Sequence, residues 1–254
     1  MNDDNEYASD LNMGPIQFAK YCKEIKKRNI QSFYLAKNHI GGEGIKCLFE
    51  LLLEIEIETL VLVKNSLSSD DAKYLWYILA SNRPLKGLSV RSNPDIGMKW
   101  ITSGIAKNTV LTYLDLGGIK METSQFRELC DVISKNTTLT ELELDFCKIG
   151  NEINYFINVM KNNKTLKIAN FTGNDVIALD VFDGIHISEI DLSYNKMNYD
   201  SIMRVCESFL KNDNMSKLNI NENGIVSSAD EEKLIKFAAT AKKKIILNMC
   251  ITNG

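Results

Sequence analysis

The chain has 254 residues, of which 44% are apolar and 25% charged, with a net charge of −3 and a pI near 5.6. This balance excludes bulk disorder and lacks the lysine and arginine excess that neutralises phosphates, so no nucleic-acid partner is expected. No run approaches the ~20 apolar residues of a membrane span, because the richest stretch, residues 51–63, is interrupted by Glu54, Glu56 and Glu58, and no membrane partner is expected either.

In chain order, residues 1–13 are rich in Asp and Asn, without the basic start or apolar core of a secretory signal, and are expected to form a flexible tail. Residues 14–29 place Ile16, Ala19, Tyr21, Cys22 and Ile25 at helical spacing and are expected to form a capping helix over the N-terminal edge.

From residue 30 onward one pattern recurs, L-x-x-L-x-L-x-x-N-x-L with conservative swaps. The clearest copies are Ile187, Ile190, Leu192, Asn195, Met197 and, 28 residues later, Met215, Leu218, Ile220, Asn223, Ile225. The same frame fits Ile30 to Ile40, Ile57 to Leu67 and Leu85 to Ile96, and further copies begin at Leu111, Leu139 and Leu166. A weak last copy starts at Lys242, with Ile245, Leu247 and Cys250 in register. Residues 30–254 are therefore read as a single domain of about nine repeats with a C-terminal cap.

The L-x-L core alternates at period two, so each repeat offers a short strand with one inward face, and stacked strands make a parallel sheet. An amide at the turn can satisfy backbone groups of its own and neighbouring repeats. Cys147 and Cys250 take that place in two copies, while Ile119 cannot fill it. Helical periodicity marks 44–53, 69–79, 98–106, 123–133, 152–160, 199–210 and a helix running to about residue 241. Ser68 with Asp71, and Ser228 with Glu231, resemble capping boxes, and Ala72, Leu75, Trp76 and Leu79 form one expected buried stripe. The sixth repeat has only 21 residues, so 175–184 can hold at most a turn or a short helix. That deletion is either neutral or a local change of curvature.

These helix-bearing repeats resemble the ribonuclease-inhibitor subclass of leucine-rich repeats, shared by ribonuclease inhibitor, the GTPase-activating protein of Ran, tropomodulin and the NLR sensors. The resemblance covers residues 30–252 and implies an α/β solenoid, a right-handed horseshoe with a parallel concave sheet and convex helices. It also implies a non-enzymatic scaffold that grips a partner protein on its concave face. Two alternatives from the same family are regulation of a small GTPase and actin binding of the tropomodulin kind.

The residues themselves suggest no catalysis and no cofactor. His39 and His186 stand far apart and read as loop or edge histidines, and Gly41, Gly42 and Gly44 lack the ending of a phosphate loop. Six scattered cysteines without a C-x-x-C pair fit a reduced, cytoplasmic setting, in which the acceptor tripeptides at Asn136, Asn163, Asn170 and Asn214 carry no weight. The 242–244 lysine run reads as a solvated helix end.

Non-core strand positions are uneven. The middle repeats place Asp115, Glu141, Glu143, Asp145, Glu189 and Asp191 there, interleaved with Tyr113, Phe146 and Tyr194, and Lys167 is the one basic residue among them. The first two repeats show Tyr34, Val61 and Val63 instead, with Lys37 and Lys64. The acidic set either solvates the sheet or docks a protein partner with a basic surface.

Overall fold

The computed structural model describes residues 4–224 and 227–247. By internal contacts the chain divides into two compact bodies, residues 1–119 and 120–254. Each is an α/β leucine-rich repeat solenoid with parallel strands.

The N-terminal body runs β1 (Asn5–Tyr7), α1 (Pro15–Ile25), β2 (Ser32–Tyr34), α2 (Gly41–Leu52), β3 (Thr59–Val61), α3 (Ala72–Ala80), β4 (Gly87–Ser89), α4 (Met98–Ile105) and β5 (Tyr113–Asp115). Its strands pair in chain order with Glu6, Phe33, Leu60, Leu88 and Leu114 in register. The C-terminal body runs α5 (Thr123–Lys135), β6 (Glu141–Glu143), α6 (Ile153–Val159), β7 (Ile168–Asn170), β8 (Glu189–Asp191), α7 (Tyr199–Lys211), β9 (Lys217–Asn219), α8 (Ser228–Thr240) and β10 (Lys244–Ile246). Here Leu142, Ala169, Ile190, Leu218 and Ile245 align across parallel neighbours. Each of the nine predicted repeat starts lies two residues ahead of a strand.

The expected flexible tail is instead one more repeat. Residues 5–7 pair with β2, and Ala8 and Asp10 donate backbone hydrogen bonds to Tyr34 and Ala36 at 2.9 and 2.8 Å. Sequence patterning misses it because Glu6 stands where the other strands carry an apolar residue. Only 5% exposed, Glu6 is held by an ion pair with Arg28 and a hydrogen bond from the Tyr21 hydroxyl, which compensates the cost of burying a carboxylate. Burial and this bond together push the Tyr21 hydroxyl well above its usual pKa. The helix α1 is accordingly the helix of that first repeat, behind a Gly14 cap whose amide is bonded by Gln17.

Helices bury one stripe each. In α7, Asn198 accepts a bond from the Ser201 amide at 3.0 Å and so caps the helix, and Ile202, Val205, Cys206 and Phe209 recur on the buried face. In α3 the stripe is Ala72, Leu75, Ile78 and Leu79. Trp76 is displaced from it and lies half-exposed at a T-shaped 6.4 Å contact with Trp100. Asp71 accepts from the Ser68 amide at 2.7 Å, one of the two bonds of the expected capping box, whereas the N-cap position of α8 is Ser227, one residue early and without a side-chain cap bond.

The turn asparagines do what their chemistry allows. Asn195 donates to the carbonyls of Phe171, Leu192 and Ser193 and accepts from the amides of Asn174 and Val176. Asn38, Asn93 and Asn174 do likewise for their own neighbours. Ile119, at the equivalent position, is fully buried, and Cys147 donates from its thiol to the Asp145 carbonyl at 3.5 Å. Cys250, Ile225 and the end of the last repeat lie outside the described residues.

A second asparagine row, unforeseen in the sequence, lies at the ends of α4 to α7. Asn108 accepts from the Val110 and Leu111 amides and donates to the Leu79 carbonyl. Asn163 accepts from Thr165 and Leu166 and donates to Ile133. Asn212 donates to the carbonyls of Phe182 and Ile185. Two of the acceptor-like tripeptides, at Asn136 and Asn163, belong to this row: the Asn136 side chain accepts from the Leu139 amide at 2.7 Å.

Replacing Asn195 by alanine strands several buried backbone groups at once, and a loss of roughly 3 kcal/mol in urea-unfolding stability is expected. The exposed Asn162→Ala should change it by less than about 0.5 kcal/mol.

Candidate functional site

In each strand the central residue points into the core, so the residues on either side of it form the opposite face. Across β6 to β9 the residues before the centre are Glu141, Ile168, Glu189 and Lys217, and those after it are Glu143, Asn170, Asp191 and Asn219, each directly paired with its neighbour. With Ala169 and Ile190 these eight side chains line a shallow depression of about 290 Å³.

Carboxylates and amides alternate along the second row, and the amides bridge them. Asn170 donates to Glu143 and Asn219 to Asp191, both at 2.6 Å. The row thereby avoids like charges directly opposite each other, since adjacent strands lie only about 4.8 Å apart. In the first row Lys217 reaches Glu189 at 2.7 Å, and this bond is the largest cause of the raised Lys217 pKa. Asp191 has both oxygens engaged, one by Asn219 and the other by the Thr172 hydroxyl at 3.0 Å and the Ser193 amide at 2.9 Å.

The rim of this face is aromatic. Phe146 and Tyr194 are 58% and 61% exposed at corresponding turn positions, both in the left-handed region with φ of 55°. Gly173, at the same position between them, has φ of 65°, and a Cβ placed there would lie 2.4 Å from the Phe146 ring. The glycine therefore lets Phe146 lie flat over the intervening turn.

The nine residues expected at the site divide accordingly. Glu141, Glu143, Glu189, Asp191, Phe146 and Tyr194 share one face of the C-terminal body. Asp145 belongs to the same body but is only 5% exposed, contrary to its expected solvent-facing position. Tyr113 and Asp115 belong to the N-terminal body. Asp115 is also 5% exposed, because Ser89, Arg91 and the Gly117 amide surround it at 2.8, 3.0 and 2.9 Å. Counting charged and aromatic residues in the fourth to seventh repeats missed the amide Asn170, and stopped one repeat short of Lys217 and Asn219, although their fixed offsets within the copies at Leu166 and Met215 place them on the same rows. Lys167, the expected basic member, is exposed and bonded to the Lys164 carbonyl.

Other chemistry is not assembled. Burial pushes the thiols of Cys22 and Cys206 up to about 12, the wrong direction for a nucleophile. Among the described residues no group of three or more His, Cys, Asp and Glu could hold a metal ion, and no helix is long and apolar enough to cross a membrane.

Gly173→Ala should displace the Phe146 ring and strain the turn, lowering stability by about 1 to 2 kcal/mol in chemical denaturation. A comparable change at exposed Lys196 should leave stability within about 0.5 kcal/mol.

Comparison with known proteins agrees with the repeat frame. The family described as Leucine Rich repeat matches residues 26–49 and 135–153. Ribonuclease inhibitor of Mus musculus is 31% identical over 136 residues, 50% of this chain and 30% of that protein. NACHT, LRR and PYD domains-containing protein 4E of Mus musculus is 28% identical over 132 residues, 50% of this chain and 14% of that protein. The chain thus spans less than a third of either relative. A solved structure described as a TLR13–ssRNA13 complex aligns with 90% of this chain and 36% of its own, at 17% identity and a TM-score of 0.46. From the repeat frame, the parallel strands and the family match, the chain is a leucine-rich repeat protein of the ribonuclease-inhibitor-like kind.

Proposed function

We propose that the chain is a non-enzymatic protein-interaction scaffold, and that the strand face of its C-terminal body holds a partner with a basic surface. The observation that carries this reading is the alternation of Glu143, Asn170, Asp191 and Asn219, in which amides fix carboxylates on an exposed face. A carboxylate held in place gives up less side-chain entropy when a cation arrives than one that is free to rotate. Phe146 and Tyr194 add aromatic surface beside it, of the type that anchors interfaces. A relative named for inhibiting a ribonuclease supports the reading by showing a protein of this kind that acts on another protein.

Within the site the roles differ. Glu141 and Glu143 present negative charge, Asp191 organises the face through its bonds from Thr172, Ser193 and Asn219, and Lys217 sets a boundary by neutralising Glu189. Tyr113 and Asp115 stay outside it as members of the other body. The cytoplasmic setting expected from the cysteines belongs to the same proposal, since the cysteines among the described residues are free thiols, which suit a reducing compartment.

The test is affinity capture with quantitative mass spectrometry, comparing the chain with the Glu141→Lys, Glu143→Lys variant and with Phe146→Ala, Tyr194→Ala. Both should fold, by circular dichroism, yet lose the specifically captured proteins by about tenfold, and capture by the unaltered chain should weaken with salt. An unchanged captured set, or salt-independent capture, contradicts the reading.

A further inference from the structure

The short sixth repeat leaves a feature on the helical side of the C-terminal body that the strand face does not use. Between β7 and β8 the chain forms no helix, and residues 176–185 run as a strap whose Val176, Leu179, Phe182 and Ile185 are buried at every third position. The strap is clipped to both neighbours. Asn151 accepts from the Ile177 and Ala178 amides and Asn154 from that of Asp180, while Ser208 accepts from the Phe182 amide at 2.6 Å. Asn151 precedes α6 and Ser208 lies in α7, so the strap occupies the place that a helix takes in the flanking repeats.

A strap is thinner than a helix, about 5 Å against about 10 Å, and cannot fill that place. What remains is a trough of about 490 Å³, bounded by Ile157 and Lys161 on the α6 side, Leu179 and Val181 on the strap, and Arg204 of α7. Its floor is apolar, with Val181 46% exposed beside Ile157 and Leu179. Its edges are cationic. Lys161 and Arg204 flank it against the single lining carboxylate of Asp180, and among the described residues neither cation forms an ion pair, Arg204 bonding only to Ser201 of its own helix at 3.3 Å.

We propose that this trough docks an amphipathic helix of a partner protein, apolar on the side facing Ile157, Leu179 and Val181 and carrying carboxylates along the edges that meet Lys161 and Arg204. The size of the omitted element specifies a helix, the aliphatic lining specifies its inner face, and the two unneutralised cations specify the sign of its flanks. The site is separate from the strand face and stands whether or not that face binds a basic partner.

The probe is a synthetic alanine-based helical peptide of about 14 residues, with leucines at i, i+3, i+4 and i+7 and glutamates beside them. Its controls are the same peptide with lysines for the glutamates and one broken by a central proline. Backbone amide shifts in the full chain map the site, and titration gives the affinity. The acidic helix should perturb residues 176–184 and bind about tenfold tighter than its lysine counterpart. The combined Lys161→Glu, Arg204→Glu variant, altered only at exposed side chains, should reverse that preference, and Val181→Asp should weaken both peptides. No perturbation of the strap at millimolar acidic peptide overturns the proposal, as do equal affinities for the three peptides or shifts centred elsewhere. Concentration-dependent dimerisation of the chain that perturbs the same strap residues would also overturn it, making a second copy the occupant.

Discussion

Where the chain leaves a strand at Asn38, Asn93, Asn174 and Asn195, it turns through backbone that is cut off from water, and one buried amide side chain supplies both the donors and the acceptor that this backbone needs. That exchange lets short three-residue strands stack in register without exposing their turns, since an orphaned buried peptide group would cost about as much as a lost hydrogen bond. The apolar residues on either side drive burial, but they are not directional. The amides convert burial into a fixed spacing, and from that spacing follow the alignment of strand centres and the placement of everything on the outer face.

Fixed spacing has a direct consequence for the outer face. Residues at one offset of each repeat become neighbours about 4.8 Å apart, so the sequence of residues at that offset becomes a row of side chains. In the C-terminal body one such row reads Glu, Asn, Asp, Asn, and the amides donate across to the carboxylates. Mutual repulsion is relieved within the sheet without cations, and the face keeps its negative charge. The same geometry leaves room for a glycine between Phe146 and Tyr194 and so aligns aromatic surface with the charged rows. On the opposite side, a deletion within one repeat removes a helix while the amides of Asn151, Asn154 and Asn212 hold the shortened strap in its place.

Much of this was legible in the sequence because periodicity is a pattern of side-chain type, and Leu, Ile and Asn at fixed offsets announce it. The strand positions, the helical spans of α5 and α7 and the shortening of the sixth repeat to a turn or a short helix at most followed from spacing alone. The first repeat did not, because Glu6 breaks the apolar pattern and its compensation by Arg28 and Tyr21 depends on residues more than a dozen positions away. Trp76 was misplaced because three- and four-residue steps from Ala72 and Leu75 allow either Trp76 or Ile78 on the stripe, and Ile78 is the one that is buried. At the site, the acidic positions could be read, but which carboxylates face solvent could not. Asp115 and Asp145 are buried, and Asp191 is spent on its neighbours, through contacts that appear only once strands are laid side by side.

On the function proposed above, a partner protein sits on the strand face of the C-terminal body, with its amide-fixed carboxylates and aromatic rim. Hydrogen–deuterium exchange of the chain alone and in complex with its captured partner tests this most directly. Slowed exchange should concentrate in peptides covering residues 141–147, 168–174 and 189–195. Slowed exchange confined to α5, α6 and α7, with those strand peptides unchanged, would contradict it.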